Sequence, residues 1–318
     1  MLLENFLYFA LAGLFLVISG IFLVKSLQKI SVYLGISEFS AAFIIMAFAT
    51  SVPELFVGIS SALQGIPQLS MGNVIGANII DLTLLTGIFI LMARGISFKT
   101  QKVGKEIYFM FAGILLLIVL YLIGNSLSRI DGVILLLLFC ANTFLIVKKR
   151  KKYHAKMNHK RNQEAKRIFY IMLFIASLIV LFISSRYIVQ YADLISVDLG
   201  LPDIFIGLFL ISIATTLPEL VFGINAVWLK HPEMSIGDQT GTIFTNTCLI
   251  LGIVAILHPI QVALTPFIIS GVFMLLAALI FVTFTKSGKK LDVYEGISLI
   301  GLYLFFVVLQ FLIRSFLV

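Results

Sequence analysis

Two pentapeptides hold the residues most able to do chemistry. Thr50-Ser51-Val52-Pro53-Glu54 and Thr215-Thr216-Leu217-Pro218-Glu219 each place two hydroxyls, a proline and a carboxylate inside an apolar stretch. Proline removes a backbone N–H and crowds the carbonyl four residues earlier, which here frees oxygens around Ala49 and Ala214. Irregular backbone at membrane depth is tolerated where it lines a cavity. Each break therefore offers free carbonyls, two hydroxyls and a carboxylate within about one helical turn. Hard cations take such ligands: Ca2+ prefers about 6–8 oxygens, and Na+ favours the same type. Nothing soft is offered, which argues against zinc and copper. An ionised glutamate in an apolar span costs about 3 kcal/mol or more unless paired or hydrated. One such residue reads equally well as a protonated glutamate bonded to a neighbouring helix. Two, each behind a proline and beside hydroxyls, read as a cation site.

A second polar position follows each pentapeptide. Asp81 follows Glu54 at the same separation at which Asn246 follows Glu219. One turn earlier on the same face lie Ala77 and Thr242. An acid deep in an apolar helix is a functional candidate in its own right. Gly72 and Gly76, and Gly237 and Gly241, are spaced to let helices approach closely and read as packing positions.

The elements that position these groups repeat. Under the constant shift that carries Glu54 onto Glu219, the stretch from Ala47 to Ile88 lies without a gap on that from Ser212 to Ile253. The same shift pairs Pro53 with Pro218, Gly72 with Gly237 and Gly87 with Gly252. Chance similarity between apolar segments does not align Pro, Gly and Glu in register. The surrounding composition is that of a membrane protein. Of 318 residues, 60% are hydrophobic and 12% charged, and the mean hydropathy is +1.11. Crossing the hydrocarbon takes about 20 apolar residues as a helix. Ten such spans are expected, near 5–24, 39–63, 69–93, 106–124, 130–147, 168–190, 203–229, 234–257, 263–285 and 294–317. Their unbroken apolarity suits helices, not the alternating strands of a barrel. The N-terminal stretch lacks a basic n-region and carries Glu4, so it reads as a first span and not a cleaved signal.

Five spans per repeat is an odd number, so the halves have opposite topology. Inverted repeats are a common plan of secondary transporters, with the site at the midplane between them. The expected fold is all-α, with ten transmembrane helices as two inverted five-helix repeats: residues 1–147 (motif 47–88) and 168–318 (motif 212–253), joined by a basic linker at 148–167. The formal charge of +8 concentrates in that linker and the other odd-numbered loops, the positive-inside pattern. It predicts an integral membrane protein with both termini outside and the linker in the cytoplasm. Anionic headgroups account for the basic loops, so no nucleic-acid partner is expected. Cys140 and Cys248 fall in apolar spans, and the four histidines have no ligand spacing.

Thr-Ser-x-Pro-Glu, followed by Gly-Asn-x-x-Gly-x-Asn and duplicated in inverted halves, resembles the α-repeats of the sodium/calcium exchanger family of cation/calcium antiporters. The resemblance implies ten helices, with helices 2, 3, 7 and 8 as the core and helices 1 and 6 sliding across it. It implies Glu54 and Glu219 as the carboxylates that bridge Ca2+ and share it with Na+. It further implies hydroxyl ligands at Thr50, Ser51, Thr215, Thr216 and Thr242, backbone carbonyls at Ala47 and Ser212, and a polar pair, Asp81 and Asn246. Bound partners are the transported cations and lipid, with no cofactor. This sequence departs from the family pattern in three places. Acid and amide are exchanged between Asp81 and Asn246. Ala77 stands where the family usually has Ser, which should weaken one flanking Na+ position. Helix 8 reads Gly-Asp238-Gln239-Thr240-Gly, and Asp238 either caps that helix or alters an ion path. Three ionised carboxylates within a few ångströms would repel one another, so Asp81 is expected to carry a proton.

These readings converge on Ca2+/Na+ exchange by alternating access, with cation/proton exchange as the rival. A channel builds its pore around a subunit axis and not from an inverted pair. An intramembrane enzyme would need a nucleophile with a base, or a metal with histidine ligands, and no span carries either.

Overall fold

The computed structural model describes residues 2–33, 47–97, 103–150, 164–287 and 290–317. Among these, ten helical units follow one another: α1 (Leu2–Tyr33), α2 (47–63), α3 (Pro67–Ala93), α4 (Val103–Gly124), α5 (Arg129–Arg150), α6 (Glu164–Leu199), α7 (Asp203–Trp228), α8 (Pro232–Leu257), α9 (Leu264–Ser287) and α10 (Val293–Leu317). Each expected span meets one of them. The start of the second, 39–46, and most of the linker, 151–163, lie outside the described residues. Eight of the described helices are long and apolar enough to cross a membrane. The other two are α2 and the 22-residue α5. The chain is an all-α membrane protein of ten helices in two five-helix repeats.

Local chemistry sets the boundaries. Pro67 and Pro232 open α3 and α8, a position where the missing N–H has no helical partner anyway. Arg94, in a left-handed conformation with φ 54°, ends α3, and Gly95 follows at φ 103°. Reciprocal side-chain-to-backbone bonds open α5, between Ser128 and Asp131, and α10, between Asp292 and Glu295.

The repeat is visible in how loops meet. β1 (Ile96–Ser97) pairs antiparallel with β2 (Lys290–Leu291). The loop before α5 meets the loop before α9 through a bridge between Leu127 and Ile260. The shift that relates Glu54 to Glu219 turns one pairing nearly into the other. At the centre, α3 and α8 are the most enclosed helices, whereas α6 and α10 show most of their surface outward. α3 packs along α7 and α7 along α8, while α1 lies against α6. Outward apolar side chains on α1, α4, α6 and α10 include Leu7, Phe15, Leu122, Phe169 and Phe305. This is the distribution expected where the surrounding solvent is lipid.

Candidate cation site

Both pentapeptides fold as the prolines dictate. The helical pieces Ala47–Thr50 and Val52–Leu63 meet at Ser51, with φ −75° and ψ 0°. Ser212–Thr215 and Leu217–Trp228 meet at Thr216, with φ −81° and ψ −2°. Two breaks of the same shape thus sit at repeat-related positions. The polar turns of α3 and α8 are matched in the same way: the helix widens to a π-turn over Asp81–Leu85 and again over Thr245–Ile250. Such insertions recur at functional sites because they free backbone groups and re-aim side chains. In the first, Thr86 Oγ1 donates to the Asp81 carbonyl at 2.6 Å, and the Thr83 hydroxyl donates to the Ile79 carbonyl.

The predicted side chains are enclosed, and several of them come together. Thr50, Ser51, Glu54, Asp81, Ser212, Thr215, Thr216, Glu219, Thr242 and Asn246 are all buried. Ala47 is the first described residue of α2. The charges of Glu54, Asp81 and Glu219 act on one another, and so does that of a fourth acid, Asp238. None of these four carboxylates has a formed hydrogen bond among the described residues. Thr215 lies beside Glu54, and Thr50 lies beside Asp238. Across the breaks, the Thr50 and Thr242 hydroxyls are 3.1 Å apart, and Thr215 Oγ1 donates to Asn73 Oδ1 at 3.0 Å. Among the described residues no lysine, arginine or histidine is buried, so the acids have no internal base to balance them.

No three acidic, histidine or cysteine side chains among the described residues converge closely enough to hold a metal alone. An ion here would therefore draw on hydroxyl, amide and carbonyl oxygens as well. Thr216 Oγ1 is suited to that. It donates to the Ser212 carbonyl at 2.9 Å, which uses its proton and not its lone pairs. The Ser212 carbonyl also accepts the Thr216 amide at 3.0 Å and Thr215 Oγ1 at 3.3 Å. Binding an ion would require it to give up part of that set.

Two details add to the sequence reading. Asn246 does not bond Asp81. Its Nδ2 donates to Asn78 Oδ1 at 3.3 Å, and Asn78 Nδ2 donates to Thr247 Oγ1 at 2.9 Å. The amide thus meets the turn of α3 that precedes Asp81. Nor does Asp238 cap α8. His231 precedes that helix and Asp238 lies well inside it, 1% exposed. Its carboxylate joins the acid cluster instead. Asp238 stands opposite Asn73 in the repeat, so the exchange of acid and amide between halves occurs twice and in opposite directions.

Two cavities flank the cluster at repeat-related places. One, of about 290 Å³, is lined by Ile21, Lys25, Pro218, Phe222, Asn225 and His231, and so reaches the break beside Glu219. The other, of about 370 Å³, is lined by Gln64, Phe182, Ile183, Arg186, Tyr187 and Gln190 and does not reach Pro53. There α2 is tied to α6 by the Ser60 and Ser185 hydroxyls, 2.8 Å apart. The repeat partners of those serines are Asn225 and Gly20, and Asn225 spends its amide on the Val221 carbonyl of its own helix.

Comparison with known proteins agrees with this architecture. The chain is 27% identical to the sodium/calcium exchanger MaX1 of Methanosarcina acetivorans, over 98% of this chain and 100% of that one. It is 28% identical to the putative antiporter CaxA of Alkalimonas amylolytica, over 79% and 80% of the two chains. The fold matches a structure of the sodium-calcium exchanger NCX_Mj soaked with Na+ and Sr2+, with a TM-score of 0.69, 23% identity and coverage of 97% of this chain and 99% of that one. The profile described as sodium/calcium exchanger protein matches residues 4–148 and 169–312, nearly the whole length, and the chain belongs to that family.

Proposed function

We propose that the protein exchanges Ca2+ for Na+ across a membrane by alternating access. The observation that carries this reading is the set of four buried carboxylates with no buried base among the described residues. Charge of that kind in an apolar interior is costly, and a cation from outside is what offsets it. Ca2+ lies between Glu54 and Glu219, and Na+ occupies hydroxyl-lined positions beside it. Because both ions need the same carboxylates, filling one set neutralises the charge the other requires. Binding is thereby mutually exclusive, which couples the two fluxes. The paired cavities support two-sided access: one reaches a proline break and the other does not, on the side where a serine pair ties α2 to α6. Because the repeat relates them, sliding of α1 and α6 across the core would open one as it closes the other.

Reconstituted protein is expected to take up radiolabelled Ca2+ when Na+ runs outward. Uptake driven by a pH gradient alone, with no response to Na+, would replace this reading with proton exchange. Asp81 is assigned a proton in the working state, since four ionised carboxylates that act on one another are not sustainable at membrane depth. Asp81→Asn is therefore expected to keep at least about half of the uptake. Complete loss, with the variant folded, would show that its charge is needed.

A further inference from the structure

We propose that Asp238 is itself a cation ligand, and that with the Thr50 and Thr242 hydroxyls it gives one flank of the Glu54–Glu219 centre a charged binding position for a hard monovalent cation, where the opposite flank has no matching carboxylate. This rests on the ion-exchange reading above, and it assigns to this chain a fourth binding carboxylate.

The argument begins with what Asp238 lacks. It sits mid-helix in α8, where backbone amides are already bonded to the preceding turn, so it has no capping work. It is 1% exposed, and neither carboxylate oxygen has a formed hydrogen bond among the described residues. A side chain of nearly the same shape without the charge is accommodated at the matching place in the other half: Asn73, fully buried, accepts the Thr215 hydroxyl at 3.0 Å. Packing alone would therefore be served by asparagine at 238. An acid there raises the electrostatic burden on Glu219 and Asp81, both of which feel its charge. A burden with no structural return points to a ligand.

The pseudo-twofold makes the comparison direct. Thr50 corresponds to Thr215, Asp238 to Asn73 and Thr242 to Ala77. On the first flank Asp238 lies beside Thr50, and Thr50 is 3.1 Å from Thr242, so one carboxylate and two hydroxyls stand together. On the second, the Asn73 oxygen is already occupied by Thr215, and Ala77 supplies no side-chain oxygen. Two repeats that evolved from one plan have thus diverged into one charged flank and one neutral flank. The donors are all hard oxygens, which excludes soft metals. A single carboxylate with two hydroxyls falls short of the roughly 6–8 oxygens Ca2+ prefers. A monovalent ion such as Na+ matches the single charge of that carboxylate and asks less of the shell than a divalent ion does.

The test uses purified full-length protein and reads binding apart from transport. Thermal unfolding is followed while NaCl replaces choline chloride, and separately while CaCl2 is added. Ligand binding to the folded state raises its stability with concentration. Asp238→Asn is expected to raise the Na+ concentration for half-maximal stabilisation by about tenfold, the effect of losing one charged ligand, and to raise that for Ca2+ by clearly less. An unchanged Na+ titration overturns the proposal. So does an equal weakening for both ions, which would make Asp238 a source of general field and not a ligand. If Asp238→Asn does not fold, Thr242→Ala probes the same flank, with the same Na+-selective weakening expected and the same unchanged titration overturning the assignment. Failure of the exchange reading looks different: wild-type liposomes would show no Na+-driven Ca2+ flux, whereas the Na+-binding difference between wild type and Asp238→Asn would persist.

Discussion

Glu54→Gln is expected to abolish Na+-driven Ca2+ uptake and to leave the protein folded, with Glu219→Gln behaving alike. Each glutamate is fully buried, without a formed hydrogen bond and without a base among the buried residues described. On the proposed assignment the ion is the only partner that offsets these charges. Removing one side of a buried charge pair costs about 3–5 kcal/mol, which is more than a hundredfold in affinity. Uptake at a Ca2+ concentration near the wild-type half-saturation should then fall to about 1% or less. Stability should move the other way. Glutamine keeps the volume and removes a charge that the apolar interior penalises, so the variants in ion-free buffer should unfold no earlier than wild type. What they should lose is the rise in stability on adding Ca2+, which at a hundred times Kd amounts to about 2.7 kcal/mol for a single site. Proteoliposome uptake together with thermal unfolding with and without Ca2+ separates this from misfolding. Uptake at wild-type level in either variant would remove that glutamate from the site.

Much of this was legible because membrane depth punishes every unsatisfied polar group. A proline or a carboxylate inside an apolar run is then a signal in itself. Pro53 and Pro218 predicted helix breaks, and both breaks occur just upstream with matching dihedrals. The register that sets Glu54 on Glu219 predicted paired geometry, which appears in the π-turns at Asp81–Leu85 and Thr245–Ile250 and in the two loop pairings. Where the sequence reading stopped, the cause was that it followed spacing within one helix. Asn246 reaches Asn78, one turn before Asp81 on the neighbouring helix, a contact that spacing within α8 does not reveal. Asp238 was ambiguous because capping depends on where a helix begins, and α8 already begins at Pro232. The register of the repeat held a clue: Asp238 opposite Asn73, like Asp81 opposite Asn246, marks an acid added where symmetry offers an amide.

The repeat also carries the site's geometry through glycine, and here the second large effect is expected: Gly76→Ala should reduce the yield of folded protein and lower its unfolding temperature. A Cβ built on Gly76 would stand 2.2 Å from the Leu208 carbonyl oxygen and 2.8 Å from Ser212 Oγ. One on Gly72 would stand 2.2 Å from the Ile204 carbonyl, and one on Gly207 would stand 2.3 Å from that of Leu69. These are backbone-on-backbone contacts between α3 and α7, and no side-chain rotation relieves them. The close approach has a purpose, since α3 carries Asn73 and Asp81 while α7 carries Ser212, Thr215 and Glu219. The 3.0 Å bond from Thr215 to Asn73 exists only while the two backbones touch. Overpacking of a tight core costs about 1–3 kcal/mol where neighbours can shift, and the cost should reach or exceed the top of that range where the obstacle is a carbonyl. Gly301 supplies the control. It lies in α10 with nothing within 4 Å of a built Cβ, so Gly301→Ala should be neutral or stabilise by up to about 1 kcal/mol through helix propensity. Size-exclusion profiles and thermal unfolding of the two variants in detergent compare them directly. If Gly76→Ala unfolds with Gly301→Ala and wild type, the close packing of α3 on α7 is not what holds the two halves of the site together. If it folds less well, ion affinity in the surviving fraction should also fall, because parting the helices separates the Glu54 and Glu219 sides of the site in the same movement.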